Sequence, residues 1–399
     1  MTTIELLAPA GDLERAKVAL NFGADAVYIG GKRFSLRYRA SNFEIQDIKD
    51  AVDYAHAKNK RVFVTVNMIP HQGDLNGLED YLKELNSIQV DAVIVASIGI
   101  AKLSKKVAPE MEVHLSTQLS ITNSETMNFY KRFGVDRIVL ARELSMDTIN
   151  QITDKNVLPI EVFIHGGMCV NYSGRCTLSN EMTLRDANRG GCAQSCRWAY
   201  DLYQDGVKIS PEDTAFSMGS KDLMAMDQID NMMKAGVYSL KVEGRMKSAY
   251  YIGVIIKAYR RWIDAINTHT HSDELYQELL IELKQAESRP TFNGFLTSLP
   301  NSTGHLYHPK AEGVVQNFVG TVIDTKPGYI LVEMRNLVSI GQELECFSYH
   351  SVPESFKVEE MMDEENLSIE VANKPMSKIW MKCELDVRVN DFIRKKGSQ

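Results

Sequence analysis

GADAVYIGG (23–31), VDAVIVAS (90–97), GVDRIVLARE (134–143) and GVYSLKVEGR (236–245) repeat one pattern: a small or turn residue, a charged residue, then a β-branched run. Helix-like sequence precedes each copy, at 13–22, 78–88, 124–133 and 223–235. Between the copies lie IELLAPAG (4–11), VFVTVN (62–67), VHLSTQ (113–118) and IEVFIHGG (160–167), which also read as buried strands. Short β-rich runs separated by amphipathic helices predict βα units and a parallel sheet. Eight of them in sequence predict an α/β fold of the (β/α)8, TIM-like type. A doubly wound open sheet is the alternative, but no G-x-G-x-x-G follows the first strand.

The spacing is regular until the seventh strand. An insertion, 166–235, then precedes the eighth, and a long loop in a barrel tends to carry a lid or a site. It contains YDLYQDGVKIS (200–210), where Asp-Gly predicts a hairpin. The barrel is expected over 1–287, ending in a helical stretch, 250–287. Turn-rich residues 288–310 read as a linker. Alternating sequence over 311–399 predicts a small C-terminal antiparallel β-barrel domain.

The chain has 399 residues, 44% apolar and 24% charged, with a formal charge of −7. This is a globular composition, and it excludes a general polycation. The N-terminus lacks a basic region followed by an apolar run, and no uncharged stretch is long enough to span a bilayer, so a cytoplasmic protein with no membrane association is expected. In a reducing compartment the six cysteines do not predict disulfides. Cys346 and Cys383 stand apart and read as small buried hydrophobes. Cys169, Cys176, Cys192 and Cys196 cluster inside the insertion as C-x6-C-x15-C-x3-C. Four soft thiolates suit an iron–sulfur cluster or tetrahedral zinc, and the spacing leaves both open. Because Cys169 follows the seventh strand closely, the centre should sit over the barrel mouth, where barrel active sites gather. The glycines of YSGRC and NRGGC would let backbone approach the metal.

Other candidates end barrel strands. His165 is a candidate acid–base or substrate-contacting group, the plainer alternative being a hydrogen-bonded core histidine. Glu243 and Arg245 end the eighth strand, where Arg245 would clamp a carboxylate, or the two would form a mutual salt bridge. Gln118 and Arg142, with Asn67 and Glu143, lie just past strands and are candidate cavity residues. Glu5 lies within the first strand and would need a buried partner. KRFSLRYRAS (32–41) interleaves Lys32, Arg33, Arg37 and Arg39 with Phe34 and Tyr38. Charge for phosphates and rings for bases suit single-stranded RNA, although a solvated loop has the same composition. Arg175 and Arg189, with Arg185 and Arg197, would add positive charge beside the cysteines.

EVFIHGGMCVNYSGRC (161–176) resembles the signature of peptidase family U32, the collagenase-like peptidases, whose members share Glu-x-Phe-x-His-Gly, then Cys, then Ser-Gly-x-Cys. LLAPAGDLERAKVALNFGADAVYIG, KDL (221–223), LKVEGRMKS (240–248) and RPTFNGF (289–295) are similar to the family in the same order. The chain most resembles the tRNA hydroxylation branch. That resemblance implies O2-independent formation of 5-hydroxyuridine at the wobble position of the tRNA anticodon loop. It also implies a link to prephenate, a small carboxylate, and a four-iron four-sulfur (4Fe-4S) cluster held by Cys169, Cys176, Cys192 and Cys196. A homologous partner subunit is allowed for. The older family label implies a metal-dependent collagenase-like peptidase instead, although neither H-E-x-x-H nor a nucleophile elbow is present. A third reading is a non-catalytic RNA- or partner-binding protein stabilised by zinc.

Overall fold

A computed structural model describes residues 4–36, 42–212, 216–287, 289–306 and 317–396. Eight parallel strands form the barrel: β1 (Glu5–Pro9), β2 (Ala26–Gly30), β3 (Arg61–Val66), β4 (Ala92–Val95), β5 (Glu112–Leu115), β6 (Arg137–Val139), β7 (Ile160–Gly166) and β8 (Ser239–Val242). β8 pairs with both β7 and β1 and closes the ring. Six strands fall inside stretches read as β from sequence, and β3 and β5 begin one residue before theirs. Most of their β-branched and leucine residues, such as Leu6, Val27, Ile29, Val64 and Val93, pack with the helices in one continuous core.

The barrel interior has two unlike walls. Leu7, Tyr28, Phe63 and Ile94 belong to a small apolar cluster on the β1–β4 side. The other wall is ionic. Arg137 donates to Glu5 (2.5 Å) and Glu161 (3.1 Å), Lys241 to Glu161 (2.6 Å), and Ser239 to Glu5 (2.7 Å). Glu5 thus has the buried partner it needs. Burial alone would raise the Glu161 carboxyl, but Lys241 and Arg137 outweigh it and hold that group down at about 2.

The helical stretch after β8 is two helices, Ala249–Asn267 and Asp273–Ala286, rather than one. The chain turns between them at His269, whose φ is +55°. The insertion forms the expected hairpin, with Tyr203–Gln204 paired to Val207–Lys208 and Asp205 and Gly206 both at positive φ. It also supplies a strand the sequence reading missed. Asp222–Met224 runs antiparallel to the end of β7, and Thr291–Phe292 pairs with it. Residues 289–306 are therefore docked on the barrel rather than a free linker: Lys221 donates to Gly304 and Leu306 to Gly219 through the backbone. The expected domain boundary, at 310/311, lies outside the described residues.

The C-terminal domain is an antiparallel seven-stranded sheet, ordered 354–357, 343–347, 392–395, 318–326, 329–334, 378–382, 361–362. Among the described residues its two end strands do not pair with each other. It packs on the Ala249–Asn267 helix and Phe22 through Phe318, Phe347 and Phe392. Arg394 forks onto Glu282 of the neighbouring helix at 2.8 Å through both terminal nitrogens. Cys346 and Cys383 are buried in this domain.

A candidate active-site cavity at the barrel mouth

A cavity of about 510 Å³ opens at the C-terminal ends of the strands. Its floor is strand-borne: Tyr28, Thr65, Ile94, Val139, Phe163 and Lys241. Glu243 and Arg245 line its β8 side, and Gln118, Arg142 and Glu143 its β5–β6 side. The insertion roofs it. Cys169, Cys176, Cys192 and Cys196 all line this one cavity.

The roof is pinned to the strand ends by specific bonds. Glu143 Oε1 accepts from both the backbone N–H (2.9 Å) and the hydroxyl (3.1 Å) of Ser173. The Arg142 guanidinium donates to the Gly167 carbonyl and lies 3.9 Å over the Phe163 ring. Gly174, at φ +74°, lies so close to the turn after β5 that a Cβ would come within 2.0 Å of the Gln118 carbonyl oxygen. The glycine of YSGRC therefore permits close loop-to-barrel contact. Arg189 pairs with Asp74 at 2.5 Å, and Ile69 N–H donates to the Asn188 carbonyl, tying the NRGGC turn to the loop after β3.

The thiols differ in setting. Cys169 and Cys192 are exposed, Cys176 and Cys196 half-buried. Asn171 donates its side-chain N–H to Cys176 Sγ at 3.0 Å. Burial pushes the Cys196 thiol up to about 11, with Arg197 opposing and the other three thiols adding to the shift. Among the described residues, no three His, Cys, Asp or Glu side chains are already gathered closely enough to hold one ion. The donor set, four soft sulfurs facing one space beside Arg142 and Arg197, has the chemistry that a thiolate-held cluster requires. Drawing them to ligating distance requires the turns that carry them to adjust.

Two strand-eight candidates are placed differently from expectation. Arg245 and Glu243 both line the cavity, and Arg245 is buried. Its guanidinium donates to Ser35 (3.1 Å), Thr65 (3.2 Å), the Leu36 carbonyl (3.3 Å) and Asn42 (2.6 Å). A Cβ on Gly30 would fall 2.0 Å from its Nη2, so that strand-end glycine makes room for it. Arg245 fastens the loop after β2 to the barrel. Glu243 Oε2 accepts from Gly167 N–H at 3.3 Å.

His165 does not line the cavity. A β-bulge in the β7–β8 pairing falls beside it, and its ring lies against Tyr259 and Tyr251 of the outer helix. Nδ1 is 3.3 Å from the Tyr259 hydroxyl. Burial drives its pKa down to about 3, Lys247 adding to the fall and Glu243 opposing, so the ring is neutral at ordinary pH. The acid–base role expected from its strand-end position is corrected to that of a core histidine.

The basic residues expected to meet RNA are only partly brought together. Lys32 is exposed and paired with Glu44; Arg33 stacks at 4.8 Å on Phe34. Arg37 and Arg39 lie outside the described residues. Arg175 is exposed and donates to Ser120 at 3.2 Å, and Arg189 is engaged by Asp74.

Lys241 was missed. Its signal was present in SLKV: a lysine at the inward position of a strand whose neighbours, Leu240 and Val242, pack outward.

A closed (β/α)8 barrel whose mouth gathers thiols, carboxylates and guanidinium groups into one cavity has the construction of a barrel enzyme. The chain belongs to peptidase family U32. The family model for Peptidase family U32 matches residues 11–305, and the model for its C-terminal domain matches 315–394. The chain is 40% identical over 398 residues to tRNA hydroxylation protein P1 of Bacillus subtilis, covering 98% of this chain and 94% of that protein. It is 42% identical over 264 residues to the 23S rRNA 5-hydroxycytidine C2501 synthase of Escherichia coli, covering 66% and 40%. It is also 32% identical over 305 residues to a Porphyromonas gingivalis protein named Collagenase, covering 73% of each. No helix among the described residues is long and apolar enough to cross a membrane.

Proposed function

We propose that this protein is an RNA-hydroxylating enzyme acting on tRNA. The observation that carries the reading is the end-to-end likeness to tRNA hydroxylation protein P1, 40% identical over 98% of the chain. A relative named for making 5-hydroxycytidine in rRNA supports the same chemical class. The specific reaction proposed is conversion of a wobble uridine to 5-hydroxyuridine without O2.

In this reading Cys169, Cys176, Cys192 and Cys196 hold a four-iron four-sulfur cluster over the cavity. Support comes from the four thiols lining one space. When bound, such a cluster supplies one-electron chemistry there. The chain's own residues bind and orient. A wobble base must leave its stack to enter the cavity. Arg175, exposed beside the mouth, meets the backbone phosphates. Arg142 offers a guanidinium to a prephenate-like carboxylate. Glu143 Oε2, buried without a hydrogen-bond partner among the described residues, is an oxygen able to accept a proton released at the base. A homologous subunit is read as auxiliary, because one chain supplies all four thiols and the cavity.

The test is nucleoside mass spectrometry of tRNA from a strain lacking the gene. Loss of 5-hydroxyuridine derivatives, restored by the wild-type gene, is expected. Unchanged levels, with no redundant pathway present, contradict the reading. A peptidase reading draws on names only, those of the family and of relatives such as the Porphyromonas protein. It predicts chelator-sensitive cleavage of gelatin by anaerobically purified protein, and no cleavage is expected.

A further inference from the structure

Lys241 is a buried ammonium with unused donors. It is 4% exposed and lines the floor of the cavity. Its only hydrogen-bond acceptor among the described residues is Glu161 Oε1, at 2.6 Å. An ammonium carries three donors. The Tyr28 ring lies 4.3 Å from Nζ and the Phe163 ring 5.4 Å, and both rings line the same floor.

Charge decides what such a group takes. Below Lys241 the buried groups are balanced, Lys241 and Arg137 against Glu161 and Glu5; the partly exposed Arg61 comes within 3.9 Å of Glu5 but pairs more closely with Glu112, at 2.7 Å. A second carboxylate on Lys241 would leave this buried set with a net negative charge, which desolvation penalises heavily. A carbonyl oxygen adds an acceptor and no net charge. Two aromatic walls beside it favour a flat heterocycle.

We propose that Lys241 seats the unstacked pyrimidine by donating a hydrogen bond to a ring carbonyl oxygen, with Tyr28 and Phe163 against the ring. This deepens the RNA-hydroxylation reading and rests on it. The inference makes Lys241 a base-seating residue and reserves the charged guanidinium of Arg142 for anionic groups.

The test separates the two claims. Fluorescence anisotropy compares the full-length protein's binding of two anticodon stem-loop RNAs, one with the wobble uridine and one abasic there. Wild type binding the uridine RNA about tenfold more tightly is expected, the size of one good hydrogen bond to a charged donor. Lys241→Met should lose that preference while binding the abasic RNA as wild type does. Since Met strands Glu161, the double variant Lys241→Met/Glu161→Gln repeats the measurement with the charge balance kept. Lys241→Gln, which keeps a donor, should retain part of the preference. If wild type shows no preference, base entry itself fails. If wild type shows it and both Met variants keep it, the role of Lys241 is overturned. Loss of carboxylate binding in these variants, with base preference intact, overturns it equally and makes Lys241 an anion site.

Discussion

The floor and the roof of the cavity are built on opposite plans. The floor stands on barrel strands, and its polar groups are held by the protein: Lys241 by Glu161, Arg245 by Thr65 of β3 and three acceptors on the loop after β2. The roof is 3-10 turns and short helix over 167–200, and it carries the four cysteines. Its bonds fasten it to the barrel's strand ends and loops, through Glu143, Ser120 and Asp74. A floor finished by its own chain recognises a shape. In the proposed reading, a roof whose soft donors share one space is completed by the cluster those donors would hold.

The largest effects should come from the roof. Cys192→Ser or Cys196→Ser should remove nearly all cluster iron and inorganic sulfide from anaerobically purified protein, with the protein still folded by circular dichroism. Full iron in either variant would make the roof as self-sufficient as the floor.

Breaking the floor should cost stability instead. Arg245→Ala strands several acceptors beneath the loop after β2 and should lower unfolding free energy by about 3 kcal/mol, read from urea denaturation. An unchanged midpoint would show that this loop is not held by Arg245.

Acid separates two parts of the barrel more gently. His165 is held to about 3, below its unfolded value of about 6.5. The unfolded chain binds the proton first, so stability is full above about pH 6.5 and falls as pH drops toward 3. Glu161, held at about 2 against about 4.3 unfolded, gives stability present above pH 4.3 and lost as pH falls toward 2. His165→Phe, keeping a ring against Tyr251 and Tyr259, should flatten the upper limb alone and leave the pH profile of activity unmoved. A shifted activity profile would return His165 to the site.

The smallest effect belongs to the rim. Arg175→Ala should weaken RNA binding uniformly and reduce the salt slope by about one unit. No change would place phosphates elsewhere.

How much of this was legible depends on what each residue's position encodes. The eight strands were readable because parallel strands buried on both faces must be β-branched runs, and GVDRIVLARE and GVYSLKVEGR announce them. The ionic wall was readable in principle: Arg137, Glu161 and Lys241 are charges at inward positions of such runs, and only Glu5 was noticed. The cysteine spacing placed a thiol cluster in the insertion. Strand Asp222–Met224 escaped because three residues carry no period, and its partners, β7 and Thr291–Phe292, are distant in sequence. His165 misled because strand-end position was taken as orientation, and a bulge sets the orientation. Arg245 misled because a guanidinium at a barrel mouth serves a loop as readily as a ligand.

The central claim is that the four cavity thiols, and no others, serve RNA hydroxylation. Single Cys→Ser variants at 169, 176, 192, 196, 346 and 383, each returned to the deletion strain, test it through tRNA 5-hydroxyuridine. The account predicts that the first four restore none and that Cys346→Ser and Cys383→Ser restore wild-type levels. Wild-type levels from any one of the first four would contradict it.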